Sequence, residues 1–190
     1  WSAANVPTEG VNSIWVGVKT ANDLRCFNPS TRHEAMLLIE REISKASGRV
    51  LIGFDVCFAY PVGGMHALGV TDWKGLWALI HSLVEDDQAN ANNRFDVGGL
   101  LNRRIGAVEG PFWGCPKSTV LNNLAMTKPK VSEFAEFRET EIGVKGAQSA
   151  WKLAYAGSVG GQTLTCLARL RPFINSLKLT RPVTVWPFET

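Results

Sequence analysis

Cysteine and histidine are scarce in this 190-residue chain, and they are scattered. Cys26, Cys57, Cys115 and Cys166 form no Cys-x-x-Cys pair, and His33, His66 and His81 fall at no metal-binding spacing. A zinc ribbon, a dithiol redox motif and a disulfide framework are therefore set aside. The cysteines read as reduced thiols packed in the core of a cytoplasmic protein. No apolar run is long enough for a membrane helix, and no stretch reads as a signal peptide. Charge of one sign is also lacking: 20 basic residues face 17 acidic ones, a net of +3. That balance permits an anionic ligand but not the basic excess of a DNA-coating protein. There is no G-x-x-x-x-G-K-[ST] loop, no internal repeat and no low-complexity segment.

What is present is an ordinary core composition, 45% hydrophobic, which excludes a disordered chain. Seven tryptophans are many for this length and suit packed layers or lined clefts.

The pattern along the chain alternates strand and helix signals. "WSAAN", "SIWVGVKT" and "LRCFNPS" read as three short strands of an antiparallel meander. A helix follows Ser30 or Thr31, with Glu34 at the capping-box position, Ala35, Leu38, Ile39 and Ile43 in phase, and Gly48 as the stop. "RVLIGFDVCF", Arg49–Phe58, reads as a continuous apolar strand covered on both faces. A second helix starts at Thr71 or Asp72 with Trp73, Leu76, Trp77 and Ile80 as its stripe. Further helices are expected at about Phe95–Ile105 and Gly161–Leu177, and "RPVTVWPF" as a closing strand. This order matches an α/β, RNase H-like fold: a mixed five-stranded sheet flanked by helices, with a loop-rich insertion at about 85–150. The 190 residues read as one such domain, incomplete at both ends.

Several stretches carry a resemblance. "LIGFDVCFAYPVG" resembles the strand-plus-proline segment of predicted RNase H-like nucleases. "WSAANVPTEGVNSIW", "NNRFDVGGLLNRRI", "GPFWGCP", "EFRETE" and "WKLAYAGSVGGQTL" are similar to a bacterial family of unknown function. Its members often carry the label molybdopterin-guanine dinucleotide synthesis protein. Two departures matter. The family's aspartate before Trp-Ser-Ala is absent, and so is an acidic strand beyond Thr190. The Gly-rich loop of molybdopterin guanylyltransferases is absent too, which weakens the label.

The resemblance implies phosphodiester hydrolysis by divalent ions, Mg or Mn, held by strand carboxylates. A carboxylate inside a buried strand must be paired, protonated or at an exposed end. Asp55 is the first candidate ligand; alternatively it accepts main-chain N–H bonds and caps the turn toward Pro61. Glu189 is the second ligand if its strand lies beside that of Asp55, and otherwise a solvated end residue. In "EFRETE", an extended backbone would put Glu139 and Glu141 on one face, sharing a cation or raising each other's pKa; a solvated loop is the plainer reading. Asp55, Glu189, Glu139 and Glu141 thus form the expected catalytic set, with Asp55 and Glu189 on the metal.

"YAGSVGGQTL" is a second feature. Gly157, Ser158, Gly160 and Gly161 precede a helix and could cradle a phosphate, with Lys152 and Arg138 as cations. They equally suit a tight turn capped by Ser158 or Gln162. Trp113 could stack on a base or plug its loop onto the core. Arg94, Arg103 and Arg104 make no single patch. The expected function is a metal-dependent hydrolase of a phosphate ester or nucleic acid. A non-catalytic module binding a nucleotide or other anion is the alternative. A nucleotidyltransferase-related role in molybdopterin cofactor synthesis is a third reading.

Overall fold

The computed structural model describes residues 1–107, 110–119, 121–130 and 132–189. The chain divides into two compact units, Trp1–Val56 with Asp86–Asn92, and Cys57–Glu85 with Asn93–Thr190.

In the first unit, β1 (Val16–Lys19) and β2 (Leu24–Phe27) form an antiparallel hairpin with Val16 opposite Phe27 and Lys19 opposite Leu24. The turn closes with the Thr20 N–H on the Asp23 carbonyl at 2.9 Å. Helix α1 (Arg32–Lys45) starts at Thr31, whose hydroxyl accepts from Glu34 N–H at 3.1 Å. The Glu34 carboxylate accepts in return from Thr31 N–H at 3.3 Å and from Ser30 N–H at 2.9 Å. This reciprocal box satisfies N–H groups that a helix start otherwise leaves open. The helix buries Ala35, Met36, Leu38 and Ile43.

The first helical residue, Arg32, is 0% exposed. Its Nε donates to Asp86 Oδ2 at 2.9 Å. Nη1 donates to the carbonyls of Ser2 and Ala4, both at 2.9 Å. Nη2 reaches the Asn90 carbonyl at 2.7 Å and also pairs with Asp86 Oδ1. Every N–H of the guanidinium therefore has an acceptor. Asn90 completes the knot from the other side. Its backbone is left-handed, at φ 74°, and its side-chain oxygen accepts from Arg32 N–H at 2.9 Å. Its amide donates to the carbonyls of Val6 at 3.2 Å and Ser30 at 3.1 Å.

The second unit is helical. It holds α2 (Gly64–Ala67), α3 (Trp73–Leu83), α4 (Arg94–Ile105) and α5 (Val159–Lys178), with a 3-10 turn at Glu139–Glu141. Asp72 caps α3 by accepting from Gly75 N–H at 2.7 Å. α3 packs on α5, and both bury their apolar stripes, Leu76, Trp77 and Ile80 on α3 and Leu164, Leu167 and Leu170 on α5. A second apolar cluster stacks Tyr60 on Trp151, 4.5 Å between ring centres, with Phe112 edge-on to Tyr60 at 5.3 Å. Buried Asn102 on α4 exchanges hydrogen bonds with both backbone groups of Phe112, which pins the following loop to the helix.

The five-stranded RNase H-like sheet expected from the sequence is not what forms. Among the described residues the only sheet is the β1–β2 hairpin, and most regular structure is helical. "WSAAN" contributes no strand, so the meander stops at two. Arg49–Phe54 is unpaired and the chain bends at Asp55–Val56; the main chain of Arg49–Val56 makes no hydrogen bond among the described residues. A strand is defined by its neighbour's ladder, and apolar sequence alone does not supply one. Arg49, Val50 and Leu51 are all exposed, and from Leu51 the exposure alternates, with Gly53 and Asp55 exposed and Ile52, Phe54 and Val56 half-buried. The closing "RPVTVWPF" turns back on itself: Phe188 and Glu189 N–H both donate to the Val185 carbonyl at 2.9 Å. Pro182 and Pro187 bring no ladder donor to that segment.

Replacing Arg32 with Met leaves the nearly buried Asp86 carboxylate without its cation. We expect a loss of about 3–5 kcal/mol in urea unfolding of the first unit, the usual magnitude for removing one partner of a buried pair. The double substitution Arg32→Met with Asp86→Leu should recover part of that loss. A single variant as stable as the wild type would show that the knot is dispensable.

Candidate functional site

The four expected catalytic carboxylates meet different fates. Asp55 is exposed and has no hydrogen bond or ion pair among the described residues. Glu189 is drawn into the second unit, 3.1 Å from Lys74 Nζ on α3 and 3.4 Å from Lys178 Nζ on α5. It also accepts from Val185 N–H at 3.1 Å. The Lys74 hydrogen bond, with help from Val185 and Lys178 and against partial burial, holds its carboxyl below the usual range. Glu189 thus clasps the last turn of the described chain onto α3 and α5. Glu139 is exposed, whereas Glu141 is half-buried. They are not on one face of an extended segment, because the segment winds into a 3-10 turn, where positions two apart diverge. Among the described residues no three His, Cys, Asp or Glu side chains come together in a way that would hold a metal ion.

Glu141 belongs to a different cluster. It accepts from Arg138 Nη2 at 2.6 Å and from Arg138 N–H at 2.9 Å. Burial alone would raise its pKa, but these Arg138 contacts prevail and hold it below the ordinary carboxylate value. Its other neighbour is the buried Cys57 thiol, which points its Sγ at Glu141 Oε1 across 3.7 Å. Cys57 N–H donates to Thr163 Oγ1 on α5 at 3.2 Å. Burial pushes the thiol up to about 11, with Glu141 adding to the rise and Arg138 opposing it. Cys57 therefore keeps its proton at neutral pH. Tyr60 is 5% exposed, and its hydroxyl has no hydrogen-bond partner among the described residues. Burial first, and the neighbouring Cys57 second, raise its pKa.

Of the expected phosphate-binding residues, Gly157, Ser158, Gly160 and Gly161 form the start of α5 with Lys152 packed beside them, and Arg138 belongs to another cluster. Gly157 supplies the left-handed backbone, φ 72°, that turns the chain into the helix. Ser158 is the N-cap residue but makes no side-chain cap bond. Gly160 allows Ala150–Lys152 to lie directly on the helix, since a Cβ there would strike the Ala150 and Lys152 main chain. Gly161 N–H donates to the Lys152 carbonyl at 3.2 Å, and Gln162 N–H to the Ser158 carbonyl at 3.2 Å. Val159 N–H is turned to Gly157 at 2.9 Å, so of these first-turn donors that of Gly160 alone lacks an acceptor among the described residues. The glycines thus serve first for close backbone approach.

Lys152 is fixed beside this helix start by its backbone. Trp113 N–H donates to the Trp151 carbonyl at 3.1 Å, and Leu153 N–H to the Trp113 carbonyl at 2.8 Å. The Lys152 ammonium bonds the Ala156 carbonyl and lies 5.6 Å from the centre of the half-exposed Trp113 ring. Arg138 belongs to the Cys57 cluster, which Thr163 joins to the second turn of the same helix. Two grooves among the described residues, of about 600 and 310 Å³, are lined by other residues, Cys26–Pro29 with α1 and Asp96–Arg103 with Leu121–Asn122.

The sequence offers no signal for the meeting of Cys57, Glu141 and Thr163, which are far apart along the chain. The Trp113–Lys152 pairing is equally silent, because it depends on isolated main-chain bridges.

A raised thiol pKa makes the folded state hold its proton when the unfolded chain has lost it. The Cys57 contribution is complete below pH 9 and declines as pH rises toward 11, by about 2 kcal/mol. The stability advantage of wild type over Cys57→Ala should therefore shrink across that window, as read by urea midpoints at pH 8 and pH 10.5. A constant difference would place the thiol in a wetter setting. The chain matches no family model, no curated protein and no solved structure, so the chemistry of this site rests on its own residues.

Proposed function

We propose that this chain is an anion-binding module whose ligand is a phosphate-bearing molecule of the nucleotide type, taken at the start of α5. The observation that carries this reading is the placement of Lys152. Its ammonium is held between the Ala156 carbonyl and the Trp113 ring, at the mouth of a 20-residue helix whose N-cap side chain is uncommitted. The helix dipole and the Gly160 N–H favour a negative group there. The half-exposed indole offers a face on which a base can stack. Arg138 adds a second cation near the same helix, already paired with Glu141.

Binding draws more support than metal-assisted hydrolysis for an electrostatic reason. Glu141 and Glu189 are each neutralised by a basic side chain, so neither is poised as a hard ligand awaiting an ion. Asp55 lies in the other unit, with no carboxylate partner of its own there in hydrogen-bonding contact.

ATP, ADP and inorganic phosphate are the probes, in a thermal-shift titration with and without EDTA. The expected result is saturable stabilisation by nucleotide that survives the chelator. Lys152→Ala should weaken it about tenfold, the value of one charge-assisted contact, and Trp113→Ala should weaken nucleotide more than phosphate. Stabilisation that needs Mg or Mn would return the case to a metal-dependent hydrolase, and no response to any probe would remove the reading.

A further inference from the structure

The segment "RVLIGFD" runs through Arg49–Phe54 without helix, turn or ladder and bends at Asp55. Leu51 is 98% exposed and Val50 44% exposed. Ile52 and Phe54 face the other way and are half-buried in the first unit, Phe54 edge-on to Trp1 at 6.0 Å. No residue from Arg49 to Val56 makes a main-chain hydrogen bond among the described residues. An open, flat apolar edge is a template for another strand, and proteins normally blunt such edges with proline, interior charge or a bulge. Val50–Phe54 contains no proline and no charge.

The sequence of this edge is complementary to itself in one direction only. Antiparallel pairing about Ile52 sets Arg49 against Asp55, Val50 against Phe54, Leu51 against Gly53, and Ile52 against its own copy. Arg49 and Asp55 are both exposed, and in the paired arrangement their even spacing sets each copy's cation against the other's carboxylate. Gly53 leaves room for the projecting Leu51 opposite. The parallel arrangement in the same register sets Arg49 beside Arg49 and Asp55 beside Asp55, which is repulsive.

We propose that Arg49–Asp55 is a homodimer seam in which two copies of this chain pair these strands antiparallel about Ile52. The pairing satisfies the main-chain groups left open in the single chain and removes Leu51 and Val50 from water. It also gives a reason for a carboxylate at the end of an apolar strand: Asp55 sets direction and register.

Sedimentation velocity on the full chain across a concentration series tests this, with circular dichroism as a check that each variant stays folded. The wild type should show a monomer–dimer equilibrium. Asp55→Arg and Arg49→Asp each place like charges opposite one another twice per dimer, and each should raise the dissociation constant about tenfold. The double exchange, Arg49→Asp with Asp55→Arg, restores opposite charges and should return the constant to near wild type. A wild type that stays monomeric, single variants without effect, or an exchange that fails to rescue would each overturn the seam. Association that survives all three variants would assign the contact to another surface.

Discussion

A guanidinium withdrawn from water must find an acceptor for every N–H, and in the first unit that requirement dictates the course of the chain. Arg32 meets it by gathering carbonyls from Ser2, Ala4 and Asn90 and the carboxylate of Asp86. Two stretches far apart in sequence, residues 2–4 and 86–90, are thereby fixed around the first turn of α1. That residues 86–92 belong to the first unit, while α3 and α4 on either side of them in sequence belong to the second, is understandable on this ground. Those seven residues include the partner without which a buried cation would be intolerable. The hairpin and α1 then add ordinary apolar burial to a frame set by polar geometry.

The second unit works by the opposite means. Its core is aliphatic and aromatic, and polar groups appear within it as fasteners: Asn102 on the Phe112 main chain and Thr163 under Cys57, with exposed His81 reaching the Ala168 carbonyl at 2.8 Å from the rim. The proposed anion-binding surface lies where the loop bearing Trp113 and the strap bearing Lys152 reach the start of α5. Close backbone approach at Gly160 and the cation beside the indole are consequences of one packing event. A site of this kind is inherited from the way a loop seats on a helix.

Helix starts were legible in the sequence because their determinants are local. Thr31 with Glu34, Asp72 before Trp73, and the stripe of Leu164, Leu167 and Leu170 need only a few neighbouring residues to act. "SIWVGVKT" and "LRCFNPS" do pair, since a tight turn makes their pairing local, whereas the expected strands at Arg49–Phe58 and "RPVTVWPF" do not form because their determinants are not local. Arg49–Val56 has the composition of a sheet interior, yet pairing depends on a second segment that composition cannot reveal. The same limit governed the site. The glycines before α5 were identifiable as a helix entrance, but the Ala150–Lys152 strap that occupies it was not. Glu139 and Glu141 were misjudged through the assumption of an extended backbone. Arg32 was passed over altogether, since an arginine at a helix start ordinarily reads as solvated.

Asn90 shows how narrow a solution this architecture occupies. Its main chain sits in a region that glycine enters freely and asparagine tolerates, while its short amide must both receive a proton from one side and give protons to two carbonyls on the other. Glycine meets the first demand and has no amide, aspartate lacks the donors, and glutamine sets the amide one carbon too far out. Each of these replacements would therefore leave at least one member of the knot without its partner or the backbone in an unfavourable conformation.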